Sequence, residues 1–553
     1  MQDDRDPRLR VALCWRLHQP EGRDLLSGEP LLPAHALGSL RECLDLAVHL
    51  ETAPGVSATV ALSPVLLEQL REIGVQIASH LRHGTTLKDP LLALLTPEGL
   101  PECPDARHGL LRDLLSTVPG QLDARFAPYA ELAEIGRLLV SPAAIGYASP
   151  QFLRDFAVWH HLEQVGESLR RGDPRVQELE WRARGFESRH QRLLLEVLAD
   201  AVGGLVPRYR RLVGSGRIEL ATAPWGDPVL PLMLDFSVAR EAQPGLALPS
   251  HAGYPGGEGR VGWHLARAAQ EYSAAFGVRP RGLAPADAAI SVATLDVVQA
   301  FGVDWLLSSE PVLRRSLAEA ESSDTVTDRV HHPHRLAGRS VPVFFADERL
   351  SRLLAEACTR PGGAAGAAAV VHALEWLAMS SSDPANRVVT VVADVDAAFE
   401  GSAAAAWEFL GELHARLSDH PRIVTVTPSQ CLAAGIEIKA LRTLVAGSEM
   451  SGSLSSWIGD VARNRAWDLL CGAKILFDQC VVEGSLTDEE QRLAERQLAV
   501  CESADWPLTI GDGDPRRARL ALAAFERHLV NLYQILGEAP PEALGCVVSS
   551  DVV

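Results

Sequence analysis

The chain has 553 residues, 47% hydrophobic and 22% charged, and 71 Asp and Glu against 52 Lys and Arg give a formal net charge of −19. That length exceeds what one hydrophobic core organises, so about two or three domains are expected, and the composition excludes extensive disorder. An acidic surface argues against nucleic acid and membranes as partners, since both select Lys and Arg patches, and leaves a neutral sugar open. The opening Met1-Gln2-Asp3-Asp4-Arg5-Asp6 has no basic stretch leading into an apolar one, and no apolar run reaches membrane-spanning length. The nine cysteines are scattered and never form a CxxC pair. Together these features predict a cytoplasmic protein with free thiols and no zinc site.

Leu9–Trp15 is a short apolar, β-rich run that reads as a buried strand. A helix over Leu37–Leu50 and a second strand over Ser57–Leu62 follow. Ser63-Pro64 then opens a helix at Val65–Ile73, where proline fits because the first helical N–H groups have no partner anyway. Residues 70–210 are helix-patterned with Pro and Gly breaks, as in a helical insertion. Alternation resumes with a strand at Ile218–Thr222, a helix at Trp263–Phe276 and a strand at Gly282–Leu283. A helix at Ala293–Phe301, strands at Trp305–Ser308 and Val341–Phe345, a helix at Ala364–Ala378 and strands at Val388–Val392 and Ile423–Thr427 complete it. Repeated strand–helix units predict parallel strands joined by right-handed crossovers. Beyond 435 the pattern is wholly helical, at Val461–Phe477, Asp488–Leu498 and Arg516–Leu536, so residues 1–434 are expected to form a barrel and 435–553 a C-terminal helical domain.

Cys14-Trp15-Arg16-Leu17-His18-Gln19-Pro20 resembles the opening motif of glycoside hydrolase family 57, whose hallmark is His-Gln-Pro after the first strand. The resemblance runs on through Ser63-Pro64-Val65-Leu66-Leu67-Glu68-Gln69-Leu70, Gly216-Arg217-Ile218-Glu219, Pro228-Val229-Leu230-Pro231 and Pro280-Arg281-Gly282. It ends in Trp457-Ile458-Gly459-Asp460, Asn464-Arg465-Ala466-Trp467-Asp468 and Ser503-Ala504-Asp505-Trp506. It implies an α/β fold, a (β/α)7 TIM-like barrel with helical insertions and a C-terminal α-helical bundle. It also implies action on α-glucans with retention of configuration and no cofactor.

A retaining glycosidase uses two carboxyl groups about 5–5.5 Å apart, one ionised to attack the anomeric carbon and one protonated to release the leaving group. Asp394, ending the apolar run from Val388, falls on the family's acid/base position, with helix capping as the alternative. Asp396 takes the Glu place of the family's Asp-Gly-Glu-Asn. The nucleophile is a Glu in Gly-x-Trp-Pro-x-Glu-Gly; here the segment reads Gly282-Leu283-Ala284-Pro285-Ala286-Asp287-Ala288. Asp287 is shorter than that Glu by one C–C bond, about 1.5 Å. It reads as a nucleophile or water-activating base of reduced reach, or as a vestigial capping residue.

Substrate-contact positions are also changed: Ala34 and Gly38 replace Trp and His, Ala61 replaces Asn, Asp227 His, Ala346 Arg, and Glu449 Trp. Retained candidates are His18 for a sugar hydroxyl, Glu219 for substrate or for orienting a catalytic carboxylate, and Trp457 for an aromatic subsite wall. Burial or solvent-facing roles are the alternatives for each. Glu310, a further acid at a strand end, suits helix capping before Pro311, with compensation for Asp287 as the alternative. His331-His332-Pro333-His334 suits a loop rather than a metal site, and Gly256-Gly257-Glu258-Gly259 lacks the context of a phosphate loop. Three functions remain open, the first two being an α-glucan hydrolase or glucanotransferase of altered activity acting through Asp287 and Asp394, and a catalytically silent protein that binds glucan or a protein partner. A third is partner capture by the helices beyond 435.

Overall fold

The computed structural model describes residues 6–542 and 544, apart from 32–34, 120–121, 321–328, 361, 396–401 and 511–514. Its strands are β1 (Leu9–Leu17), β2 (Ala58–Leu62), β3 (Ile218–Thr222), β4 (Gly282–Leu283), β5 (Trp305–Ser309), β6 (His334–Leu336), β7 (Val343–Ala346), β8 (Val388–Asp394), β9 (Ile423–Thr425) and β10 (Lys439–Leu441). The strands β1, β2, β3, β4, β5, β7 and β8 pair in that order, all parallel, and β8 returns to β1. The sheet is therefore a closed seven-stranded barrel. Helices lie between successive strands, and the expected insertion between β2 and β3 is helical throughout its regular elements, ending in the long helix Ser188–Gly214.

Closure explains the near-continuous apolar runs. Side chains on one face fill the barrel and those on the other meet the helices, so β2, β3 and β5 are buried at every position. The N-terminal half of the barrel is packed around Trp305. Its ring lies so near β4 that a Cβ on Gly282 would fall 2.0 Å from it. Its Nε1 donates to Glu219 at 2.7 Å, and the same carboxylate accepts from the backbone and hydroxyl of Ser429 at 3.1 and 2.6 Å.

Two short strands depart from the expected pattern. β6 runs antiparallel beside β7, and β10 pairs with β6, so His334 opens a strand instead of lying in a loop. β10 also lies beyond 435, where only helix is expected. Each has three residues, too few to show a periodicity in sequence.

The helices Val461–Glu483, Asp488–Cys501, Asp505–Ile510 and Pro515–Ile535 pack on one side of the barrel. Buried Glu502, next to the second of them, accepts from Arg260 at 2.7 Å and from Tyr254 at 2.6 Å, and bonds His264 at 2.8 Å. These partners lie on or beside the barrel helix Gly257–Phe276, so the two parts share a fully paired buried charge. Among the described residues no helix is long and apolar enough to cross a membrane.

Candidate active site

The C-terminal ends of the barrel strands open into a cavity of about 190 Å³. Its charged lining is Arg16 from β1, His18 just after it, Asp227, Asp287, Asp394 from the end of β8, and Asp505 from the C-terminal helices. Between them stand Ala61, Ala223 and Ala284, so small side chains leave the space open.

Arg16 and Asp394 face each other in register on adjacent strands. Nε and Nη2 of Arg16 donate to the two oxygens of Asp394 at 2.6 and 2.8 Å. Nη1 and Nη2 also donate to the two oxygens of Glu449, at 3.1 and 2.7 Å. One planar guanidinium thus holds two carboxylates, an arrangement suited to its fork of donors. Asp394 nevertheless remains half exposed, at 50% of its side chain.

Asp287 sits on the turn after β4 with φ 43°, followed by Ala288 at φ 57°. Two successive non-glycine residues in the left-handed region cost on the order of 1 kcal/mol each, so the surroundings must hold them there. The Asp287 carbonyl accepts from the backbone of Glu449 at 2.9 Å, and the Ala288 carbonyl from the Ser308 hydroxyl at 3.0 Å. Ile290 and Gly447 add a pair of backbone bonds at 2.9 and 3.1 Å. The segment bearing Glu449 therefore meets Asp394 through a side chain and Asp287 through the backbone.

A second charge cluster faces the first. His18 Nε2 lies 3.1 Å from Asp505, and Nδ1 lies 3.8 Å from Asp227. Gly226 and Asp227, both with positive φ, turn Asp227 inward after β3.

Burial pushes the Asp287 carboxyl up to about 8, with the negative charges of Glu449, Asp227 and Asp394 adding to it and Arg16 opposing. The cavity walls around half-exposed Asp394 would raise it too, but the charge and paired hydrogen bonds of Arg16 outweigh this and hold Asp394 below the usual range. Burial also raises Asp227 to about 7, against the pull of His18. His18 is disfavoured as a cation by burial, yet Asp505, Asp227 and Asp287 lift it to about 9. These shifts favour the proton on Asp287 and on His18 and the ionised form of Asp394.

The model of glycosyl hydrolase family 57 matches residues 161–443, more than half of the chain. This chain belongs to that family. Solved structures agree in fold: a family 57 branching enzyme from Thermococcus kodakaraensis has 13% identity and a TM-score of 0.57, with 96% of this chain and 90% of that one covered. The α-amylase AmyC of Thermotoga maritima has 11% identity and a TM-score of 0.55, with 99% and 100% covered. A branching enzyme from Pyrococcus horikoshii has 14% identity and a TM-score of 0.54, with 99% and 98% covered. No curated protein matches the sequence.

Of the residues that family 57 resemblance singles out, Asp287, Asp394 and His18 share the cavity. Glu219 does not reach it. It is the second residue of β3, at the opposite end of the barrel, and its oxygens are taken by Trp305 and Ser429. Trp457 is fully buried, and its carbonyl accepts from Trp467 at 2.9 Å, so it packs the core under the helices instead of walling a subsite. Asp396 and Ala34 lie outside the described residues. The directions of the two shifts, upward at Asp287 and downward at Asp394, are the reverse of what the family 57 roles implied by the resemblance would need. Arg16, Asp227, Glu449 and Asp505 were not legible as one constellation. Their signal was a lone arginine at the end of an apolar strand, and acids standing where the family 57 pattern has His and Trp.

Proposed function

We propose that this protein cleaves or transfers α-glucosidic bonds of a glucan or oligosaccharide, with Asp287 as the proton donor and Asp394 as the ionised partner. The observation that carries this reading is the grip of Arg16 on both oxygens of Asp394, across the same cavity from a half-buried Asp287 whose carboxyl is pushed upward. Two carboxyl groups pushed apart in acidity are what glycoside hydrolysis uses.

Asp287 gives its proton to the glycosidic oxygen as the C1–O bond breaks. A water oxygen bonds to C1, and Asp394 accepts the proton that the water releases. The freed alcohol and the new sugar hydroxyl balance the step, and exchange with solvent resets the pair. Attack by Asp394 itself would disrupt its two bonds to Arg16, which favours water as the nucleophile and inversion at the anomeric centre. An acceptor hydroxyl in place of water gives transfer. Charged His18, with Asp505 behind it, supplies a donor for a sugar hydroxyl.

The test is release of reducing ends from a maltooligosaccharide at high protein concentration, with the anomer of the first product read by NMR. Asp287→Asn and Asp394→Asn are each expected to lower the rate by about a hundredfold or more. The wild-type rate should fall as pH rises through about 8, where Asp287 loses its proton. Glucan binding without turnover, indifferent to Asp394→Asn, identifies a silent binder instead. Ala61 and Ala346, where the family pattern has Asn and Arg, are the features that favour that second reading.

A further inference from the structure

A second cavity, of about 290 Å³, lies between the barrel rim and the C-terminal helices. It meets the first at the His18–Asp505 pair, which lines both. The two side chains of that pair keep 27% and 32% of their surface exposed, so open space reaches them. Beyond this seam the walls change character. Trp506 and Phe525 stack with ring centres 4.2 Å apart, and Val65, Val500 and Leu520 complete an apolar lining. Most polar groups in the wall are already engaged by neighbouring side chains, His528 Nε2 excepted. Both oxygens of Glu21 accept from Arg23 at 2.6 Å, the Ser503 hydroxyl donates to Asp505, and His528 Nδ1 is bonded by Gln497 at 3.2 Å.

A sugar ring presents hydroxyls that need free partners, and this wall offers few. An alkyl chain or aryl ring needs none, and gains about fourfold in affinity for each methylene taken out of water. A pocket of this size with apolar walls and a polar edge is the usual form of a small-molecule site.

We propose that this second cavity receives the apolar aglycone of a glucoside whose sugar occupies the Asp287–Asp394 cavity. The inference rests on the reading of the first cavity as a sugar site and names the class of leaving group that the chain prefers.

Calorimetric titration of the full chain with octyl α-D-glucoside, below its micelle concentration, and with maltose tests it. The expected result is octyl glucoside binding at least about tenfold tighter than maltose. Ala524→Trp and the milder Ala521→Leu, both substitutions in the apolar wall, should remove that advantage and leave maltose binding unchanged. Equal affinities in the wild type, or an advantage that survives in both folded variants, overturn the aglycone site and leave the glucan reading standing. Octyl glucoside binding that both variants abolish, with no maltose binding at all, keeps the apolar site and removes glucan as substrate. Binding of neither compound overturns both.

Discussion

At Asp287 and Ala288 the side chains and the backbone tell different stories. The family pattern places glycine where Ala288 stands, and φ 57° is the conformation in which glycine costs least. The turn has kept its left-handed geometry while losing the residue suited to it, held by the bonds from Glu449 and Ser308. Ala288→Gly is expected to raise stability by about 0.5–1 kcal/mol, measured by denaturant unfolding, because relief of strain exceeds the added freedom of the unfolded chain. Legibility at this scale followed chain order. Asp287, Asp394 and His18 sit in runs whose neighbours mark them. Glu449 is visible in sequence only as a missing tryptophan, because its meaning lies 433 positions away, at Arg16. Glu219 became a candidate through the family motif alone, although its place as second residue of a parallel strand already set it at the N-terminal end, away from the cavity.

Among the elements, β4 is the shortest strand of the barrel, two residues long, and depends on its neighbour for definition. Gly282 lets the Trp305 ring cross it, and Glu219 fixes that ring by its Nε1. Gly282→Ala should therefore cost about 2–4 kcal/mol, read as a lower midpoint in denaturant, since a methyl group has no room against a ring packed on all sides. Glu219→Ala should cost about 1–3 kcal/mol through the unpaired buried indole, with much less effect on sugar binding than on stability. Barrel strands were legible because both faces are buried and the apolar runs are unbroken. β6 and β10 were not, since strands of three residues at the margin of a sheet carry no run to recognise.

For the molecule as a whole, buried histidines set the response to acid. Burial pushes His49 and His334 down to about 3, and His332, His414 and His528 down to about 4. Unfolding returns each to its ordinary value near 6.5, so the unfolded chain binds more protons below that pH, and stability falls as pH falls from about 6.5 towards 4. Asp287 and Asp227, raised to about 8 and 7, act in the opposite sense: the folded chain retains protons that the unfolded one loses, and stability declines as pH rises from about 4 to 8. The histidines outnumber the aspartates below pH 6.5. His18, raised to about 9, adds to that decline above pH 6.5, so thermal unfolding followed across pH should give a midpoint that rises from pH 4.5, passes a maximum at about 6.5 and declines towards 8.

The contact between His18 and Asp505 joins the start of the barrel to a helix almost five hundred residues later. That imidazole acts as a gauge of assembly: Asp505, the strongest of the charges that raise its proton affinity, stands at the far end of the chain, while Asp227 and Asp287 belong to the barrel. Loosening those helices by heat, mutation or cleavage should move the His18 ring signal in NMR from alkaline titration back to near-neutral titration before any barrel strand melts, and so report docking separately from folding.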